Sequence, residues 1–111
     1  MGQFILVYSH PEKGDRQFNI ENGRVYRLGT RRDNDIVVKQ KDVSRHHAMV
    51  KVHENGCQVT DLKSKNGTFV NGVRIDECEL TCGDELRLSS ARIVLLDASS
   101  GARPEVAGEV S

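Results

Sequence analysis

The sequence predicts an all-β domain, an antiparallel sandwich or barrel, on three grounds. Apolar residues recur with a period of two rather than 3.6. Asn-Gly and Gly-Asp pairs punctuate the short apolar runs, and no long amphipathic helical stretch interrupts them.

In chain order, Phe4, Leu6 and Tyr8 alternate with Gln3, Ile5 and Val7 in a run apolar enough to be buried on both sides. Phe18 and Ile20 alternate with Gln17 and Asn19, and beyond the Asn22-Gly23 turn signal come Val25 to Leu28. Ile36 to Val38 follows, then Ala48-Val50-Val52 against Met49-Lys51-His53, and Cys57-Val59 after Asn55-Gly56. Phe69-Val70 and Val73-Ile75 flank Asn71-Gly72, the strongest hairpin signal, because a two-residue type I′ turn needs positive φ at both central positions. After Gly83-Asp84, Leu86-Leu88 and Ile93 to Leu96 complete the set.

Composition narrows the function. The 111 residues suit one domain, and a chain of this size buries roughly two-thirds of the surface its unfolded form exposes. Sixteen basic and sixteen acidic residues give zero formal net charge, so a chain-wide basic field for holding nucleic acid directly is not expected. The apolar run Phe4 to Tyr8 is far short of the ~20 residues that span a bilayer, and no signal-peptide pattern accompanies it. Met1-Gly2 lacks the Ser or Thr of a myristoylation site, since Leu6 stands there. These points predict an intracellular protein without a membrane anchor.

Cys57, Cys78 and Cys82 make an odd count in a chain large enough to build its own core, which predicts reduced thiols. Cys78 and Cys82 are four apart and the histidines lie elsewhere, so no metal site is expected. A Walker-A loop, a nucleophile elbow, a zinc-protease motif and a kinase set are all missing, and neither catalysis nor a cofactor is predicted. Residues 98–111 are mostly small or polar and predict a flexible tail after a folded unit spanning residues 1–97, which suits a monomeric module of a larger protein.

Two motifs twenty residues apart carry the chemistry, Ser44-Arg45-His46-His47-Ala48 and Ser64-Lys65-Asn66-Gly67-Thr68-Phe69-Val70-Asn71-Gly72. A hydroxyl, a guanidinium, an ammonium and a carboxamide in loops beside strands can converge on an anion and the peptide carrying it. With Leu28-Gly29, Asn34 to Val38, Val43, Asp61 to Lys63 and Gly83-Asp84, they resemble in order and spacing the forkhead-associated (FHA) domain. The resemblance covers the first strand to Leu96. It implies a β-sandwich of about eleven short strands whose loops at one end bind phosphothreonine peptides of protein partners, and by family habit a nuclear or cytoplasmic setting with the nucleus slightly favoured.

Carried across, Ser44 resembles the family's phosphate-binding serine and Arg45 a position that touches phosphate or peptide. Taken alone, Ser44 would read as a turn-capping hydroxyl. Asn66 resembles the asparagine that clamps the peptide main chain; alone, Asn-Gly would read as a left-handed turn. Ser64 and Lys65 share its loop and are expected to contact the phosphopeptide with it. His47 resembles a histidine that braces the loops without touching ligand, with Gly29, Gly67 and Thr68 as further structural support. A departure stands after Gly29, where the family's usual arginine is replaced by Thr30. Losing one charge-assisted contact costs ~1.5 to 3 kcal/mol, roughly ten- to a hundredfold in affinity, unless Arg31 or Arg32 compensates. In an extended segment Arg32 would project like Thr30 and Arg31 away from it, whereas a loop need not obey that parity and Arg31-Arg32-Asp33 reads equally as a solvated charged turn. The Thr30 departure also supports a second reading, a phosphate-independent FHA-like adaptor.

Overall fold

A computed structural model describes residues 3–97 of the chain; the expected tail at 98–111 lies outside the described residues. Eleven strands form two sheets, with no helix among the described residues. One sheet has six strands in the order β2 (Gly14–Glu21), β1 (Gln3–His10), β11 (Ala91–Asp97), β10 (Glu85–Leu88), β7 (Thr68–Val70) and β8 (Val73–Ile75). The other has five in the order β4 (Ile36–Val37), β3 (Val25–Gly29), β5 (Ala48–His53), β6 (Gly56–Asp61) and β9 (Glu77–Leu80). All paired strands are antiparallel except β3 and β4, whose Leu28↔Ile36 register is parallel, so the second sheet is mixed.

The period-two pattern becomes a single core between the sheets. Phe4, Leu6 and Tyr8 of β1 and Ala91, Ile93 and Leu95 of β11 point inward from one sheet. Leu28, Val50, Val52, Cys57, Val59 and Leu80 point inward from the other. Each fully buried large aliphatic among them contributes ~1.5 to 3 kcal/mol over its exposed state. Ile5 and Val7 are only half-buried, so β1 has one core face rather than two.

Two differences from the sequence pattern have physical reasons. Strand β9 was not anticipated, because Glu77-Cys78-Glu79-Leu80 offers a single large aliphatic and two residues of low strand propensity. Pairing with β6 organises it through Cys57↔Leu80 and Val59↔Cys78, and its two exposed glutamates suit a sheet edge. Strand β4 shrinks to Ile36–Val37; Val38 is still held, its N–H bonding the Gly29 carbonyl at 2.8 Å. The Asn71-Gly72 hairpin forms as expected, with φ of 50° and 86° and Val70↔Val73 closing the ladder.

Direction along the strands sorts the loops into two ends. At one end stand the β3–β4, β4–β5 and β6–β7 loops and the β10–β11 turn. The Asn71-Gly72 turn and the paired first and last strand ends, Phe4↔Asp97, stand at the other. No helix of the described residues is long and apolar enough to cross a membrane, and no group of metal-ligating side chains gathers among them. All three cysteines are free thiols. Burial pushes the Cys57 thiol up to about 12. Cys57 is therefore expected to resist thiol reagents in the native state and react on unfolding, whereas exposed Cys82 labels at once; timed mass spectrometry of an alkylated sample would check this.

Candidate functional site

Three loops are laced together at one rim by backbone hydrogen bonds. Thr30 and Arg31 N–H groups donate to the Ser44 and Arg45 carbonyls at 3.1 and 3.3 Å, joining the β3–β4 loop to the β4–β5 loop. The Leu62 N–H donates to the His47 carbonyl at 2.9 Å, and the Ser89 N–H to the Gly67 carbonyl at 3.0 Å. Gly29 permits the first contact. A Cβ there would run into the Arg45 carbonyl oxygen, so the reason for glycine is close backbone approach, not a left-handed turn.

His47 is the hub. It is fully buried; its Nδ1 accepts from the Ser44 N–H at 3.0 Å and its Nε2 donates to the Gly67 carbonyl at 2.7 Å. Those two bonds select the neutral Nε2–H tautomer. Burial pushes its pKa below the usual histidine range, against the Gly67 carbonyl and the Asp61 and Asp42 carboxylates that pull it up. His46, by contrast, faces outward with Nε2 3.0 Å from Asp33 Oδ1.

Ser44 Oγ accepts from the Lys65 N–H at 3.0 Å, which binds the two motifs directly. Its own hydroxyl proton is left free to donate outward. The Asn66 carboxamide donates from Nδ2 to the Asp42 carbonyl at 2.8 Å, leaving Oδ1 and a second N–H for another partner. Asn66 does not adopt positive φ; Gly67 does, at 98°, so the left-handed position of this turn is one residue later than an isolated Asn-Gly would suggest.

Ser64 faces inward. Its hydroxyl donates to Asp61 Oδ1 and accepts from the Gly67 N–H at 3.0 Å, and buried Thr68 donates to the same Asp61 oxygen at 2.6 Å. These bonds outweigh the burial of Asp61 and hold its carboxyl below the usual range. Ser64 and Thr68 thus make one brace around Asp61 beneath the rim.

The cations divide. Arg31 Nε lies 3.6 Å from Asp33, whereas Arg32, Arg45 and Lys65 are exposed with no ion-pair partner among the described residues. The alternation argument for Arg31 and Arg32 does not apply, because Arg31 to Asn34 is a turn closed by the Asn34 N–H to the Arg31 carbonyl at 3.2 Å. Asn34 itself is buried. Its Nδ2 donates to the Arg31 and Arg45 carbonyls at 2.8 and 2.7 Å, pinning the two cationic loops together.

Sequence reasoning missed three contributors. Arg74 of β8 lays its guanidinium against Gly67, with Nε 3.0 Å and Cζ 3.2 Å from where a Cβ would stand. The tight Asn71-Gly72 hairpin already implied the Phe69↔Arg74 pairing that puts it there. Asp42 accepts from the Ser89 hydroxyl and the Ser90 N–H at 2.8 and 3.1 Å and offers its carbonyl to Asn66. Asp61 could have been found as a loop aspartate three residues before Ser64, placed to accept from its N–H as it does at 3.1 Å.

Comparison with known proteins agrees with this architecture. The FHA domain family model matches residues 26–89. The glycogen accumulation regulator GarA of Mycolicibacterium smegmatis is 38% identical over 95 residues, 86% of this chain and 60% of GarA. The FHA domain of CT664 from Chlamydia trachomatis superposes with a TM-score of 0.80 at 28% identity, covering 86% of this chain and 97% of that one. EmbR of Mycobacterium tuberculosis, solved in complex with a low affinity phosphopeptide, gives a TM-score of 0.70 at 29% identity over 84% of this chain and 24% of EmbR. The chain spans 60% of the length of that GarA and 9% of the ABC transporter ATP-binding/permease protein Rv1747 of Mycobacterium tuberculosis, a further relative. These proteins are bacterial, and the expected preference for a nucleus finds no support in them.

Proposed function

The chain belongs to the FHA domain family, whose members are interaction modules rather than enzymes, and from that premise we propose that it recognises phosphothreonine in protein partners inside the cell. One observation carries the reading. Ser44, with a free hydroxyl proton, is fastened to the backbone of Lys65 beside the Asn66 carboxamide; unpaired Arg45 and Lys65 stand on the two loops these bonds join, and unpaired Arg32 on the β3–β4 loop that Thr30, Arg31 and Asn34 tie to them. A phosphothreonine brings nearly two negative charges and three acceptor oxygens, which such donors satisfy with charge-assisted bonds. The phosphopeptide bound to EmbR supports the ligand class.

In this reading Ser44 donates to the phosphate, Arg45 and Lys65 supply charge, and Arg32 takes the place of the arginine that Thr30 displaces. Arg31 is the weaker substitute, being held by Asp33. Ser64 acts with Gly29, His47, Gly67 and Thr68 as support. Asn66 releases the Asp42 carbonyl or uses its remaining donor and acceptor to hold the peptide main chain. The γ-methyl of threonine, worth ~0.8 kcal/mol by area, favours phosphothreonine over phosphoserine by a modest factor. In this reading residues 1–97 make up the binding unit, one monomeric module of a larger parent protein.

An oriented phosphothreonine-peptide library screened on the isolated domain, with its dephosphorylated counterpart, tests the proposal. Selective retention of the phosphorylated pool is expected; equal retention would favour the phosphate-independent adaptor. Asn66→Ala is expected to reduce binding to background while shifting the melting temperature little, since it removes one exposed hydrogen bond. Arg32→Ala should weaken a selected peptide by roughly tenfold in fluorescence anisotropy. An unchanged affinity would return that guanidinium to solvent.

A further inference from the structure

A second concavity lies at the same end of the sandwich. It is lined by Tyr8 and His10 of β1, Lys13 of the β1–β2 turn, Arg16 of β2, Val37 of β4 and Lys39 just after it, and encloses about 230 Å³. That is several times the ~30 Å³ share of one liquid water, room for an oxyanion with part of its hydration. The register fixes its position: Ser9 pairs with Arg92, directly after the Ser89-Ser90 turn that borders the peptide rim.

Its chemistry is one-sided. Lys13, Arg16 and Lys39 have no ion-pair partner among the described residues, so their mutual repulsion in one pocket is relieved by a bound anion. The Arg16 guanidinium stands 5.8 Å from the Phe18 ring, which restrains it. His10 Nδ1 accepts from the Glu12 and Lys13 N–H groups, both at 3.0 Å, which shapes the turn and leaves the proton on Nε2 as another donor.

The pocket is tied to the peptide clamp. Tyr8 donates its hydroxyl to Gln40 Oε1 at 2.7 Å, and Gln40 Nε2 donates to Ser90 Oγ at 3.1 Å. The Ser90 N–H donates to Asp42 Oδ2, and the Asp42 carbonyl holds Asn66. Lys39 and Ser44 are five residues apart and hence at most ~17 Å between Cα atoms. The Val43 N–H to Gln40 carbonyl turn shortens that further.

We propose that this pocket is an anion subsite for the same peptide, receiving a second oxyanion side chain, phosphorylated or carboxylate, within about five residues of the phosphothreonine. It deepens the phosphothreonine reading and rests on it. A single side chain fits better than a polyanionic surface, because exposed Glu12 and Asp15 on the same hairpin would repel nucleic acid or an acidic membrane.

The test is a peptide array with a central phosphothreonine in an alanine-rich context, with one phosphoserine or one aspartate walked along the flanks. At one position phosphoserine should raise wild-type affinity by about tenfold, and aspartate at that position by less. The Arg16→Ala/Lys39→Ala variant, altered only at exposed positions, should lose that gain yet bind the singly phosphorylated peptide as wild type does. A gain that never arises, or that survives in the variant, overturns the subsite. So would capture of anionic vesicles or single-stranded DNA that depends on Arg16 and Lys39. Should no phosphothreonine peptide bind the wild type, the underlying reading fails separately, and inorganic phosphate decides the pocket. Amide shift changes at His10, Lys13 and Lys39 that the variant lacks would support an anion pocket; none would overturn it.

Discussion

Replacing Ser44 with alanine is expected to cost about a hundredfold in affinity for a selected phosphothreonine peptide, enough to take a micromolar interaction to a dissociation constant on the order of 100 μM. Two losses combine. The hydroxyl proton that would meet a phosphate oxygen disappears, a charge-assisted bond of ~1.5 to 3 kcal/mol. The acceptor for the Lys65 N–H disappears as well, releasing the loop that carries Asn66. Stability should change little, by ~0.5 to 1.5 kcal/mol, since Ser44 is only half-buried and water can replace it at Lys65. Calorimetric titration alongside a thermal melt separates the two effects. A Ser44→Ala protein that binds the peptide as well as wild type would remove the hydroxyl from the phosphate contact.

The His47→Ala change should instead be felt first in folding. It empties a fully buried site and strands the Ser44 N–H and the Gly67 carbonyl. Each stranded buried group costs ~1 to 3 kcal/mol, and with the cavity the total reaches ~3 to 5 kcal/mol. For a domain of this size that lowers the melting temperature by roughly 15 °C or more. Peptide affinity should fall too, even well below the new midpoint, because both motifs lose their common anchor.

His47 also gives stability a pH dependence whose sign follows from its depressed pKa. The unfolded chain takes up a proton near 6.5 while the folded chain does not, so the unfolded state binds more protons as pH drops. The stabilisation is complete above 6.5 and declines as pH falls below it, levelling off under the folded value. Asp42, Asp61 and Asp84, held below 3.8, are lost in a separate and more acidic window. Denaturant melts across pH should therefore show two steps. His47→Gln should lack the first, and its persistence there would assign that step to another group.

Much of this architecture was legible in the chain, for local reasons. Short apolar runs placed ten of the strands, most through an inward Val, Ile, Leu or Phe, and β8 through its hairpin turn, since its Val73 is exposed and its Ile75 only half-buried. The Asn71-Gly72 pair fixed its hairpin because few other residues accept two positive φ angles in succession. What escaped depends on contacts across the fold. Strand β9 exists because β6 offers it a ladder, and nothing within Glu77 to Leu80 announces that. The inward turn of the Ser64 hydroxyl required knowing that Asp61 and the Gly67 N–H would meet it, and only the fold decides between an extended segment and a turn at Arg31 to Asn34. Arg74 lay within reach of hairpin register, but only a view of β7 against β8 connects it with Gly67.

The Phe4↔Asp97 pairing at the far end has a practical corollary. Entry and exit of the folded segment run side by side, so the unit can be spliced into a surface loop of a host, or hung from either flank, without stretching the join. Whatever tether is chosen, the rim that carries Ser44 and Asn66 faces away from the Phe4 and Asp97 ends.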